Sequence, residues 1–147
     1  MRVLGIDHGQ ARIGLALSDS MGLVASPFEV LERRRRLKQD LKIIAKLVEE
    51  HAVSAIVVGM PFEMSGEAGK KAKEVRQFIR NLANHVSVPI HEWDERLTTV
   101  AADRALDAME VRGERRKELV DQMAAAVILQ GYLDGQAGSS EGEDGDA

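Results

Sequence analysis

Four carboxylates fall where a chain of alternating strands and helices gathers its reactive groups. Asp7 closes the first short apolar run, and Asp94 and Glu95 follow the last one, Val88 to Trp93. Asp121 sits in the first turn of the final helical pattern, with Ala125 and Ile128 at i+4 and i+7. That spacing puts Asp121 on the apolar stripe that packs on a sheet. An acid on such a face costs several kcal/mol unless it is paired or bound to a metal. In open α/β sheets, sites gather at strand ends and switch points. If the last strand and the last helix flank the first strand, Asp7, Glu95 and Asp121 converge. Clustered carboxylates repel one another, and a hard divalent cation relieves that repulsion. Oxygen-only donors favour Mg²⁺ or Mn²⁺. Two such ions roughly 4 Å apart can clamp the attacking and leaving oxygens of a phosphodiester.

Each acid also has a plainer reading. Asp7-His8-Gly9 is what an ordinary turn looks like. Asp94 can be a turn residue, Glu95 a surface acid, and Asp121 a first-turn acid favoured by the helix dipole. The combination in one topology is what points to chemistry. Gly9 would let the backbone approach a phosphate, and Arg12 could contact it; a hairpin with a solvated Arg is the alternative. Arg96 could bind phosphate or pair with a neighbouring acid and hold it. Arg33 to Arg36, and Arg112, Arg115, Arg116 and Lys117, form two basic clusters, the second close to Asp121. Charge runs are commonly solvated faces, and with 3% aromatics the chain lacks a base-stacking platform. Phosphate and shape recognition therefore fit better than base readout. His8, His51, His85 and His91 have no recognisable ligand spacing. His8 is a candidate proton-transfer group that can face the opposite side of its strand from Asp7.

The elements that would position these groups follow from periodicity. Arg2 to Asp7, Ile13 to Leu17 and Leu23 to Leu31 are short apolar runs with tight polar joints, so consecutive antiparallel strands are expected. Pro27 marks an irregularity or an edge, and Gly22 sits in the second joint. Leu37, Leu41, Ile44 and Val48 recur at helical spacing. Ala55 to Gly59 reads as a strand buried on both faces. Ala72, Val75, Ile79 and Leu82 predict a second helix, and Val88 to Trp93 a fifth strand. Thr98 or Thr99 can cap a third helix through Met109, and Glu118 to Leu133 forms the last. The order β-β-β-α-β-α-β-α-α implies a five-stranded mixed sheet flanked by helices.

The chain has 147 residues and no cysteine, which excludes disulfides, zinc–thiolate sites and a cysteine nucleophile. No apolar run reaches the ~18 residues of a membrane span, and the N-terminal run is too short for a signal-peptide core. A soluble cytoplasmic protein with no membrane partner is expected. The net charge of -4 is a property of the C-terminus: five of the 24 acidic residues lie in 134–147, which has no basic one. Residues 1–133 hold 20 basic residues against 19 acidic. The 134–147 segment is rich in Gly, Ser and acid, and its composition predicts a disordered tail. One domain over 1–133 is the expected organisation.

Five blocks occur in order: Gly5 to Gly9, Arg12 to Asp19, Val57 to Pro61, Asp94 to Thr99 and Val120 to Gln130. Together they make the chain resemble the YqgF/RuvX family of Holliday junction resolvase-like and pre-16S rRNA nuclease proteins, over essentially 1–133. The resemblance implies an RNase H-like fold and a metal-dependent nuclease acting in 16S rRNA maturation. It places the family's acids on Asp7, on the Asp94–Glu95 pair and on Asp121. Glu95 is favoured within the pair for its reach, with Asp94 the alternative ligand. The loop after Pro61 departs from the family's Asn-Met-Asp-Gly-like segment, with Glu63 and Ser65 replacing the amide and the acid.

The leading reading is hydrolysis by water activated at Mg²⁺ or Mn²⁺, two ions held by Asp7, Glu95 and Asp121. Arg12 and Arg96 would neutralise phosphate, and Gly9, Arg115, Arg116 and Lys117 would add backbone and phosphate contacts. Partners would be precursor rRNA, branched or single-stranded DNA, or ribosomal particles, met by a monomer or homodimer. A junction resolvase is one alternative and a non-catalytic RNA- or ribosome-binding module another. Gly5 to Gly9 also resembles the phosphate loop of actin-like ATPases, but a chain of this length lacks their second domain and second glycine-rich loop.

Overall fold

A computed structural model describes residues 1–33, 37–63, 68–97, 107–108, 110 and 112–146, and leaves aside the side chains of 97, 116–122 and 137–146. The elements are β1 (Arg2–His8), β2 (Arg12–Ser18), β3 (Ala25–Glu32), α1 (Leu37–Glu50), β4 (Val53–Met60), α2 (Lys70–Ala83), β5 (Ile90–Asp94), a 3₁₀ turn (Glu95–Leu97) and a long helix, here α3 (Gly113–Asp146). The helix expected between Thr98 and Met109 falls largely outside the described residues.

The strands form one sheet in the order β3-β2-β1-β4-β5. β1–β2 and β2–β3 pair antiparallel, while β1–β4 and β4–β5 pair parallel. β1 and β5 thus end on the same side of the sheet, with β4 between them. The sequence expectation of a mixed five-stranded sheet holds. β4 is buried along its length except Ser54, as its unbroken apolar run predicts.

Strand alternation divides the core into two layers. Leu4, Ile6, Ile13, Leu15, Ile56, Val58 and Met60 face α1 and α2, where Leu41, Ile44, Phe78 and Leu82 cover them. Val3, Ala16, Ala55 and Val57 face α3, where Ala125, Ile128 and Leu129 cover them. Gly5 belongs to the second layer: a Cβ there would lie 2.7 Å from Leu129 Cβ and 3.0 Å from Ala125 O. The missing side chain lets α3 lie close on β1. Gln130 locks that helix to the turn between β2 and β3, accepting from Ala25 N at 2.9 Å and donating to Leu23 O at 3.0 Å.

β3 is an edge strand. Leu15 pairs with Glu29 but Ala16 with Pro27, so Phe28 is an extra residue and the register shifts there. The irregularity that Pro27 signals in the sequence is this bulge. Asp19 closes the β2–β3 turn by accepting from Leu23 N and Val24 N at 2.7 and 3.0 Å, and Gly22 takes a positive φ of 72°.

Backbone helix continues through Asp146, into the segment whose composition predicts disorder. A helix already docked on a sheet extends without a new nucleation step, and no proline stops it. The core contacts of α3 reach Leu133, and a Cβ at Gly135 would lie 3.6 Å from the Trp93 ring.

Candidate active site

Alternation along each strand decides which acids meet. Val3, Gly5 and Asp7 share the α3 side of β1, and Val57 and Gly59 share the α3 side of β4. Trp93 lies on that side of β5, so Glu95, two positions on, follows it. Asp7 and Glu95 are therefore two strands apart on one side of the sheet, with Gly59 between them. A Cβ at Gly59 would lie 3.0 Å from Glu95 Oε2 and 2.5 Å from Ile128 Cδ1. A side chain at 59 would press on Ile128 first and on the Glu95 carboxylate next, so glycine leaves room for both.

Both acids line a cleft of about 210 Å³ with His8, Gly9, Gln10, Arg33, Pro61, Lys71, Glu74 and Val75. Burial, then the charges of Asp7 and Asp94, push Glu95 up to about 7, and Lys71 opposes them. Loss of water and neighbouring negative charge both disfavour the ionised carboxylate. The donor set is oxygen-only and half-buried, which suits a hard divalent ion. Among the described residues no group of three metal-ligating side chains is found. The third expected acid, Asp121, is a backbone position of α3 one turn before Ala125, and its side chain lies outside the described ones.

Asp94 is placed differently. It alternates with Trp93 and Glu92 pairs with Arg76 of α2, which puts the even positions of β5 on the α1/α2 side. Arg96 Nε donates to Asp94 Oδ1 at 2.9 Å and Arg96 Nη1 to Glu63 O at 3.0 Å. The Arg96 hydrogen bond holds the Asp94 carboxyl below its ordinary range. Of the two sequence readings of Arg96, the structure supports the one that pairs it with an acid. The pairing braces the turn that presents Glu95.

Other expected residues scatter. Gly9 lines the cleft, and its N–H donates to Arg12 O at 2.9 Å across the hairpin. A Cβ there would lie 2.7 Å from Arg12 O, so the turn itself requires glycine. Arg12 pairs with Glu32 at 3.1 Å on the exposed hairpin and does not line the cleft. Arg115 is exposed on the first turn of α3, also away from the cleft lining, while the side chains of Arg116 and Lys117 are outside the described ones. His8 faces α2, its ring 4.6 Å from that of Phe78. Burial, then the Arg33 charge, lowers its pKa.

The structure adds two cations that periodicity does not single out. Lys71 enters from α2. Arg33 donates from Nη1 to Gly9 O and Gln10 O, both at 3.1 Å, and so fixes the hairpin that carries Asp7. Arg33 is visible in the sequence only as the start of a basic run, and Lys71 only as one of several lysines on a polar helix face.

A mixed five-stranded sheet in this order, flanked by helices, is an RNase H-like fold. The chain belongs to the RuvX family, described as Holliday junction resolvase, which it matches over residues 1–135. A Symbiobacterium thermophilum protein named "Putative pre-16S rRNA nuclease" is 48% identical over 137 residues, 93% of this chain and 94% of that protein. A Desulforamulus reducens protein of the same name is 44% identical over 93% of this chain and 99% of that one. Thermus thermophilus RuvC superposes with a TM-score of 0.57 at 17% identity, covering 94% of this chain and 97% of that one. That likeness concerns the fold. No helix among the described residues is long and apolar enough to cross a membrane.

Proposed function

We infer that this chain is a divalent-metal-dependent nuclease that hydrolyses phosphodiester bonds in the 16S rRNA precursor, in the cytoplasm and on or near ribosomal particles. The observation that carries this reading is the meeting of Asp7 and Glu95 in one cleft across the gap left by Gly59. Asp7 and Glu95, joined by Asp121, would hold Mg²⁺ or Mn²⁺, as a pair of ions. When bound, such ions polarise a phosphate and lower the pKa of water for in-line attack.

The chain's own residues do the rest. Lys71 sets a positive charge on the rim, where a phosphate passing through its transition state gains negative charge. The Arg96–Asp94 pair holds the turn of Glu95, and Arg33 holds the hairpin of Asp7, so neither acid has to be ordered by substrate. The RNA assignment rests on the names of the relatives. The family description supports a second reading, a four-way DNA junction, which has two symmetric cut sites and calls for a homodimer.

The test is a cleavage assay of wild type and Asp7→Asn on single-stranded RNA, a 16S precursor fragment and a four-way DNA junction, with Mg²⁺, Mn²⁺ or chelator. Cleavage of the precursor that needs metal and disappears in Asp7→Asn is expected. Full activity in chelator or in Asp7→Asn would overturn the metal assignment. Preference for the junction, together with a dimer in solution, would favour the second reading.

A further inference from the structure

The active-site cleft does not end at His8. A second cavity of about 220 Å³ continues from it, lined by His8, Arg33, Leu37, Glu74, Gln77, Phe78 and Asn81. His8, Arg33 and Glu74 line both. The two cavities follow one face of α2: Lys71, Glu74, Gln77 and Asn81 are spaced three, three and four residues apart, which aligns them along a helix. Lys71 stands at the catalytic end and Asn81 at the far end.

The chemistry changes along this stripe. Cations, Lys71 and Arg33, lie at the catalytic end and at the junction. Groups that donate and accept neutral hydrogen bonds, Gln77 and Asn81, lie beyond. Gln77 Nε2 donates to Asn81 Oδ1 at 3.4 Å and Arg80 Nη2 to Gln77 Oε1 at 2.8 Å, which orients the two amides. Glu74 is an acceptor at the boundary, able to take a hydrogen bond from a ribose 2′-hydroxyl, the group by which proteins tell RNA from DNA. His8 supplies a ring between the two spaces, backed by Phe78. The volume is below the ~300–1,000 Å³ of pockets for drug-sized ligands and suits one nucleoside. Charge at one end and amides at the other is the pattern of a nucleotide with its phosphate toward Arg33.

Building on the nuclease reading, we propose that this second cavity seats the nucleotide next to the scissile phosphate, and that this nucleotide is an unpaired ribonucleotide. Arg33 takes the connecting phosphate, Glu74 the 2′-hydroxyl, and Gln77 and Asn81 the edge of the base. A base lodged against α2 cannot keep its complement, so the substrate is single-stranded at this position whatever its structure elsewhere.

Gln77 is exposed on α2, so Gln77→Trp can fill the cavity without disturbing the core or the acids; unchanged circular dichroism and melting would check that. The cut site of wild type is first mapped on a single-stranded RNA. Abasic residues are then placed on each side of it in turn. An abasic residue on one side is expected to lower wild-type kcat/KM about tenfold, the scale of one base contact. Gln77→Trp should lose a similar factor on intact RNA and show no further loss on the abasic one. A 2′-deoxy substitution at the same nucleotide should slow wild type but not Glu74→Ala. Indifference to abasic sites on both sides, or wild-type cleavage by Gln77→Trp, would overturn the cavity assignment and leave the nuclease reading standing. If wild type cuts nothing, that reading fails, and fluorescence anisotropy with the same RNA decides the cavity. Weaker binding by Gln77→Trp would support it, and equal or absent binding would overturn it.

Discussion

The two sides of the sheet are built by opposite means. Toward α1 and α2 the strands present Leu, Ile, Val and Met, and the layer is thick. Toward α3 they present Gly5, Gly14, Ala16, Ala55 and Gly59 among a few valines, and the helix comes close enough that a Cβ at Gly5 would meet its backbone. The thin side brings Asp7 and Glu95 under the same helix. The thick side leaves a groove beside α2. The candidate catalytic acids and the candidate nucleotide path thus sit around one strand end but on different layers, and the adjacent residues Asp94 and Glu95 are divided between them.

The sharpest way to break this comparison is to mutate those neighbours. Glu95→Gln should lower cleavage by at least ~100-fold, the scale of one electrostatic contact to the reacting group. Asp94→Asn, which loosens the Arg96 brace and takes one neighbouring charge from Glu95, should cost about tenfold. Equal losses in a steady-state assay would erase the division. Next comes the pair of glycines. Gly59→Ala should displace Glu95 and cut kcat on the order of 100-fold, as small misplacements of reacting groups do. Gly5→Ala should instead destabilise the fold by about 1–3 kcal/mol through overpacking against α3, read as a shift in urea midpoint.

A smaller effect concerns pH. Glu95 is raised to about 7 in the fold, from an ordinary value of 4.5. Between those values the folded protein holds a proton that the unfolded chain releases, so stability of the metal-free protein should fall as pH rises from about 5 through 7. Glu95→Gln should remove that slope and be the more stable protein at pH 8, while being inactive. A flat profile in wild-type denaturation curves would show that burial and neighbouring charge do not raise Glu95 in the fold. The smallest effect is expected from removing residues 137–147, beyond the Gly135–Trp93 contact. Unfolding free energy should change by no more than about 0.5 kcal/mol.

Most of the fold was legible in period and punctuation. The unbroken run of β4, the helical spacing from Leu37 to Val48 and the warning at Pro27 all correspond to what forms. Asp7 and Glu95 were legible as acids at strand ends, where open α/β sheets gather their sites. Reach favours Glu95 over Asp94 in the sequence, and Glu95 is the one that lines the cleft; what puts the two on opposite sides is the parity of Trp93 in the sheet, which needs the register of β5. The space left by Gly59 was hidden for a similar reason. A glycine ending a buried strand reads as a turn signal until the acid from the neighbouring strand is seen leaning over it. Lys71 escaped notice because α2 has a lysine-rich polar face, and only the way the helix crosses the sheet decides which lysine overlooks the cleft. In the tail, composition speaks to an isolated segment, whereas the backbone here continues a helix packed on the sheet from Ala125 to Leu133.

The bulge in β3 has a consequence for how copies of this chain can meet. A strand approaching the outer margin of the sheet would find no amide hydrogen at Pro27, a skipped register at Phe28 and the carboxylates of Glu29 and Glu32. Edges treated this way resist the addition of foreign strands. A twofold assembly able to grip a symmetric four-way junction would therefore have to form away from this margin, and the growth of sheet-to-sheet aggregates from it is discouraged by the same four residues.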